Sequence, residues 1–314
     1  MNKVRRLIVD TDTGSDDAVA VIMALRDRSV KVEAFTTVAG NVGIEQATKN
    51  CLISIEMAGT YCPPVYMGCE KPILKESGKI NPVVHGIDGM GDIGLRKPKI
   101  KPETVHAVDF LIDYIEKYPN EIELVTIGPV TNLALICHKS PGTLKKVKKI
   151  WMMMGTGLYF GNSTPLSEGN AQMDPEALDI VLRYAGTPIY LLGWDLCINE
   201  YLFTEEDITY LYGTGSQTAK FCLDINKLLM DLNVKRFGKK SIDFADPVAM
   251  AIALQPDIIE KSYTAYTRCE TNKGIAYGAI AVDSFHQSGR KCNATTVTKI
   301  NAEKMKKCIC DLII

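Results

Sequence analysis

Apolar positions along this chain follow two alternating patterns, short β-rich runs and longer runs at helical spacing, and the alternation predicts a series of β and α units. Leu7-Ile8-Val9 reads as a strand ending at Asp10, and Ala18 to Leu25 reads as a helix behind the turn at Gly14. A second strand is expected over Val32 to Val38, a helix over Ile44 to Met57 and a short strand at Val65-Tyr66-Met67. Val105 to Tyr118 has helical spacing, Ile122 to Ile127 is strand-like, and Pro129 marks a fresh helix start. Strands at 149–154 and 188–192 then flank a helix over Pro175 to Tyr184. A helical middle runs from Glu205 to Leu232, and an apolar helix over Val248 to Leu254 follows Asp246-Pro247. Strand-like stretches at 276–282 and 295–300 precede a final helix from Ala302. With no linker and no internal repeat, the pattern predicts one α/β domain over residues 1–314, built on a mostly parallel open sheet flanked by helices.

Composition narrows the function. Hydrophobic residues at 46% and charged residues at 23% are ordinary globular values. Lys and Arg number 36 against 37 Asp and Glu, so a net charge of −1 provides no field for a polyanion, and nucleic acid is excluded as a partner. The dense basic patch Lys145-Lys146-Val147-Lys148-Lys149 suits a solvated turn. No apolar run approaches the ~20 residues that span a bilayer, and no secretory h-region precedes the first strand. The expectation is a soluble cytoplasmic protein with no membrane partner. Ten cysteines are scattered without C-x-x-C spacing, as befits reduced core residues.

The chemistry concentrates in Asp10-Thr-Asp12-Thr-Gly-Ser-Asp16-Asp17, four carboxylates within eight residues at a strand-to-helix turn. In open α/β sheets the carboxyl ends of the strands are where ligands bind. Carboxylates this close repel one another unless a cation or a hydroxyl-rich ligand compensates them. Oxygen-only donors suit a hard cation such as Ca²⁺ or Mg²⁺ rather than zinc. The bland alternative is that Ser15 or Asp16 caps the helix, with the other acids favoured by its dipole, but one cap needs one acid. Asn41 can cap the helix from Ile44 or face a ligand. The long segment from Glu70 to Pro102 holds His85-Gly86-Ile87-Asp88-Gly89-Met90-Gly91 and reads as a mobile flap. Asn162, Glu168 and Asn170, in the glycine-rich stretch 155–173, suit a polyol, and Asp246 is expected at or near a helix cap.

Taken together these stretches resemble the calcium-dependent nucleoside hydrolases, the inosine-uridine-preferring and related nucleoside N-ribohydrolases. The resemblance rests on DTDTGSDDAVA, Val38-Ala39-Gly40-Asn41, Ile127-Gly128-Pro129 with Thr131-Asn132, Glu168-Gly169-Asn170 to Asp174-Pro175-Glu176-Ala177, and Asp246-Pro247, in order along nearly the whole chain. It implies a Rossmann-like fold, hydrolysis of ribonucleosides to base and ribose by a metal-activated water, and assembly as a dimer or tetramer. It implies that Asp12, Asp17, Asp246 and the Ile127 carbonyl hold Ca²⁺, with Asp10 supporting them from behind and Asp12 acting as general base. Asp16, Asn41 and Asp246 would hold the 2′ and 3′ hydroxyls. Asn162, Glu168 and Asn170 would hold the 5′ end, with Met154 packed nearby.

The chain departs from that family at Ala245, where many members carry a His that protonates the departing base and one purine-preferring branch carries Trp. His85, which matches a histidine of the family's flexible loop, is then the candidate for leaving-group activation. Tyr159, Phe160, Trp194, Lys235, Arg236 and Phe237 are further candidates near the base. His106 and His138 read as packing or surface residues, and His286 lies in a polar loop. Gly169 is smaller than the aromatic residue the family commonly has there. Two other readings compete: a ribose binder that has lost cleavage through Ala245, and a haloacid-dehalogenase-like phosphatase using Asp10 and Asp12 with magnesium. The phosphatase reading leaves Asp16, Asp17 and Asp246-Pro247 without a role.

Overall fold

The computed structural model of the chain describes residues 4–75, 82–157 and 159–314. The chain opens with β1 (Arg5–Thr11), α1 (Ser15–Arg26), β2 (Val30–Thr37), α2 (Ile44–Ala58) and β3 (Val65–Met67). The four-residue helix α3 (Pro82–His85) then leads to α4 (Ala107–Lys117), β4 (Ile122–Thr126), α5 (Thr131–Lys139) and β5 (Lys149–Met153). Next come α6 (Gly169–Met173), α7 (Pro175–Tyr184), β6 (Ile189–Leu192), α8 (Glu205–Gly213), α9 (Gln217–Ile225), α10 (Lys227–Phe237) and α11 (Ala245–Leu254). The closing elements are β7 (Ile259–Cys269), β8 (Ile280–Asp283), β9 (Ala294–Ile300) and α12 (Ala302–Ile313).

Among the described residues, all nine strands join one sheet in the order β3-β2-β1-β4-β5-β6-β9-β7-β8. From β3 to β9 every pairing is parallel; β7 and β8 add an antiparallel edge. Parallel strands are covered on both faces, which is why β1 is apolar without alternation. Leu7 and Val9 pack in the core that holds α1 and α11, and Ile8 packs in the opposite core with α4, α5 and α7. Helix α1 is buried from Ser15 to Leu25, because α2, α11 and α12 enclose it. The chain leaves β1 toward β2 on one side and returns to β4 on the other. The sheet therefore reverses direction beside β1, and the carboxyl ends of β1 and β4 open a crevice there.

The structure corrects the sequence-based expectations in four places. Strand β7 was not expected. Most of its side chains are only partly buried or exposed, with Ala265, Thr267 and Cys269 as its buried positions, so it carries little apolar signal. Residues 276–279 form a turn rather than strand, and β8 starts at Ile280. The helical middle divides into three helices, broken around Gly215 and at Asn226. Helix α11 begins at Ala245, so Asp246 lies inside its first turn and Phe244 occupies the cap position without a side-chain bond.

At the amino end of the sheet, buried Glu123 of β4 takes hydrogen bonds from Arg5 Nε (3.1 Å), Arg5 Nη2 (2.5 Å) and Trp151 Nε1 (3.1 Å). Burial alone would raise its pKa, but these donors win and hold it at about 2. Its contribution is therefore present above the ordinary carboxylate range and is lost only as pH falls through about 2. Glu123→Ala is expected to destabilise the protein by roughly 3 kcal/mol in urea denaturation, the cost of breaking a buried pair. A change within the ~0.5 kcal/mol of ordinary surface substitutions would contradict this role.

Candidate active site

The β1–α1 turn arranges the four amino-terminal acids in different directions. Asp17 accepts from Gly14 N–H (2.9 Å), Thr11 Oγ1 (2.7 Å) and Asn41 Nδ2 (3.1 Å), so this acid does steady the start of α1. Asp10 turns back into the sheet, where its Oδ1 accepts from Thr36 Oγ1 (2.5 Å) and Asn132 Nδ2 (2.8 Å). That bond ties β1 to β2 and α5 behind the crevice. Asp12 accepts from the Asn41 backbone N–H (2.6 Å) through Oδ2. A Cβ on Gly40 would stand 2.0 Å from Asp12 Oδ2, and one on Gly128 would stand 2.6 Å from Oδ1, so the carboxylate fits only between two glycines.

The acids also meet across the chain. Asp16, Asp17 and Asp246 are all buried, and each brings a carboxylate oxygen within 4.8 Å of the others. Burial pushes the Asp12 and Asp246 carboxyls far above the usual range, and the charges of neighbouring aspartates push them further. Burial also raises Asp10 and Asp16 to about 6. Asp12 Oδ1 and Asp16 Oδ1 are buried without a hydrogen-bond partner among the described residues. Buried polar atoms are normally satisfied, so these orphaned oxygens and the clustered charge fit a hard divalent cation.

The acids line one end of a cavity of about 670 Å³, within the roughly 300–1,000 Å³ range of small-molecule sites. Asp12, Asp16, Asp246, Asn41 and Ile127 form that end. Asn41 does not cap α2: Gly43 stands at the cap, while Asn41 bonds Asp12 and Asp17. Asn162, Glu168 and Asn170 form a second wall. Asn162 Oδ1 accepts from Gly169 N–H (2.9 Å), and Asn170 Nδ2 donates to the carbonyls of Ile127 and Met153 (3.2 Å each). Glu168 accepts backbone N–H bonds from Gly155, Asn170 and Ala171, and burial raises it to about 7 against them.

The third wall contains His85, Trp194, Arg236, Asp243 and Ala245. His85 Nδ1 accepts from Ser15 N–H (3.3 Å) and lies 2.9 Å from Ser15 Oγ. Burial lowers its pKa to about 4, so the ring is neutral at pH 7 and its 3.6 Å approach to Asp16 is no ion pair. A neutral ring that accepts at Nδ1 carries its proton on Nε2. The segment bearing His85 is pinned to α2, because Asn50 Nδ2 donates to the Asp88 carbonyl (2.8 Å). Residues 76–81 of the expected flap lie outside the described residues.

Met154 departs from the expected set. It is buried in the core with α4, α5 and α7, and Met153 lines the cavity in its place, because successive strand residues face opposite sides. Of the expected base-end candidates, Trp194 and Arg236 line the cavity; Lys235 and Phe237 do not, and Phe160 reaches Trp194 edge-on at 6.0 Å between centroids. His106 caps α4, accepting from Val108 N–H. Asp243 is an addition that no sequence rule singled out. It accepts from Trp194 Nε1 (2.9 Å) and Asn233 Nδ2 (2.7 Å), with Arg236 Nη1 at 3.9 Å.

Fold and site together give an α/β protein with a cavity of small-molecule size lined by buried carboxylates at a sheet reversal. The profile of the inosine-uridine preferring nucleoside hydrolases matches residues 7–307, and the chain belongs to that family. It is 33% identical to uridine nucleosidase 1 of Arabidopsis thaliana over 283 residues, 90% of this chain and 83% of that one. It is 30% identical to the inosine-uridine preferring nucleoside hydrolase of Leishmania major over 305 residues, 96% of this chain and 94% of that one. A solved plant nucleoside hydrolase superposes with a TM-score of 0.93 at 28% identity, covering 99% of both chains. The protein is therefore a nucleoside hydrolase, which cleaves the N-glycosidic bond of ribonucleosides, and the phosphatase alternative falls away. No described helix is long and apolar enough to cross a membrane.

Because Asp10 and Asp16 are raised in the folded state, the native protein binds protons that the unfolded chain releases between pH 4 and 6. Their contribution is present below the ordinary carboxylate value and is lost as pH rises through about 6. In chelator, the melting temperature is expected to fall between pH 5 and 7.5, and a divalent cation should restore it. A chelated protein whose melting temperature rises over that interval would contradict the acid cluster as the source.

Proposed function

We propose that the enzyme is a Ca²⁺-dependent ribonucleoside hydrolase in which Asp12 is the general base and His85 assists departure of the base. The observation that carries the reading is the orphaned, buried Oδ1 of Asp12, a residue that lines one cavity with Asp16 and Asp246. Asp12, Asp17, Asp246 and the Ile127 carbonyl would hold the cation. When bound, such a cation lowers the pKa of a water and polarises hydroxyl oxygens. Self-association as a dimer or tetramer accompanies the reading through the family resemblance, and a cytoplasmic location through the sequence pattern.

The residues divide the remaining work. Asp16, Asn41 and Asp246 hold the 2′ and 3′ hydroxyls, and Asn162, Glu168 and Asn170 hold the 5′ end. Met153 packs beside that wall, taking the place expected of Met154. Asp12 accepts a proton from the attacking water as oxygen bonds to C1′ and the C1′–N bond breaks. The sugar passes through an oxocarbenium-like state, whose positive charge the surrounding carboxylates stabilise. Ala245 has no proton to give. His85, neutral and protonated on Nε2, supplies a hydrogen bond to the departing base in its stead, and Trp194 offers the base an aromatic wall.

The test is release of free base from inosine, adenosine, guanosine, uridine and cytidine with calcium present. Asp12→Asn is expected to lower kcat by roughly 10²–10⁴-fold while ribose binding survives. Equal activity in the variant and the parent would remove Asp12 from the role of base. The 2′-deoxyribonucleosides should be rejected, since each lost hydroxyl strands a buried polar partner. Efficient cleavage of deoxyribonucleosides would contradict the assignment of Asp16, Asn41 and Asp246.

A further inference from the structure

The cavity is lined by more than the residues expected to take the ribose 5′ end. Lys75, Ser163 and Gln172 line the same space as Asn162, Glu168 and Asn170. Gly169 lines it too, and an added Cβ there would meet nothing nearer than Asn162 Oδ1 at 4.0 Å. No side chain at that position narrows the cavity that Lys75 shares with Asn162, Glu168 and Asn170.

Lys75 is partly buried, and its ammonium donates to the Gln172 carbonyl and lies 4.9 Å from the Tyr277 ring centroid. Among the described residues no carboxylate lies within ion-pair distance of it. The two nearby acids have other partners. Asp174 accepts from Thr131 Oγ1 (2.6 Å), Ile73 N–H and Ala177 N–H, and Glu176 accepts from Tyr277 OH (2.8 Å). Glu168 already takes three backbone N–H bonds, which spread its charge. The Asn162 carbonyl oxygen is held by Gly169 N–H, which leaves its amide nitrogen as a donor. A cation and amide donors lining one cavity are the chemistry that grips a phosphate.

We propose that this part of the cavity is a subsite for an anionic group on the 5′ carbon of the ribose, with Lys75 as its counter-charge. Ribonucleoside 5′-monophosphates are then substrates. Water oxygen bonds to C1′, the C1′–N bond breaks, the base leaves with a proton, and ribose 5-phosphate is released with its phosphoester intact. The inference rests on the placement of the ribose under the proposed function.

Two measurements separate the subsite from that placement. Calorimetric titration in calcium compares ribose 5-phosphate with ribose, and base release compares uridine and inosine with their 5′-monophosphates. Ribose 5-phosphate is expected to bind at least tenfold tighter than ribose. Lys75→Met should remove that preference and lower the kcat/KM ratio of monophosphate to nucleoside at least tenfold, and Lys75→Arg should retain most of both. Equal affinity for the two sugars, or a preference unchanged in Lys75→Met, would overturn the subsite. A Lys75-dependent preference for ribose 5-phosphate without base release from any compound would support the subsite while overturning the catalytic reading.

Discussion

Negative charge held out of water is the constraint around which this molecule is built. Asp16 and Asp17 come from the first turn of α1, and Asp246 comes from the first turn of α11, more than two hundred residues later. The packing of α1 against α11 in one core brings them to within 4.8 Å. Helix N-termini favour negative charge, which offsets part of the repulsion, but two helix ends do not neutralise four buried acids. Unfilled oxygens on Asp12 and Asp16 mark where the compensation is missing, and a hard cation is the group whose chemistry answers it.

The sheet puts this charge in a usable place. Because β1 lies between strands reached in opposite directions, the carboxyl ends of β1 and β4 part, and loops from both sides enclose the opening. Gly40 and Gly128 let backbone approach the Asp12 carboxylate from two sides, with Oδ2 bonded to the Asn41 N–H and Oδ1 left without a partner among the described residues. Asp10 plays no part in the opening. Its bonds to Thr36 and Asn132 hold the strands that frame the site.

How much of this was legible follows from burial. The parallel strands and α1 were readable, because elements covered on all sides are continuous apolar runs. Strand β7 was not, since few of its side chains reach the core. The amino-terminal acids stood out through density alone, and Asp246 through its proline, yet their meeting is a tertiary fact that no local pattern states. Parity decides the Met153 and Met154 pair, and a one-residue difference puts one in the cavity and the other in the core. Lys75 and Asp243 carry no motif. They became visible only when the cavity walls were assembled around them.

The most direct measurement is diffraction from crystals soaked with calcium and ribose, with anomalous scattering used to locate the ion. The expected result is a single ion in contact with carboxylates from both α1 and α11 and with the vicinal hydroxyls of the sugar. An ion bound elsewhere, or a sugar seated in the cavity with no ion beside those aspartates, would contradict it.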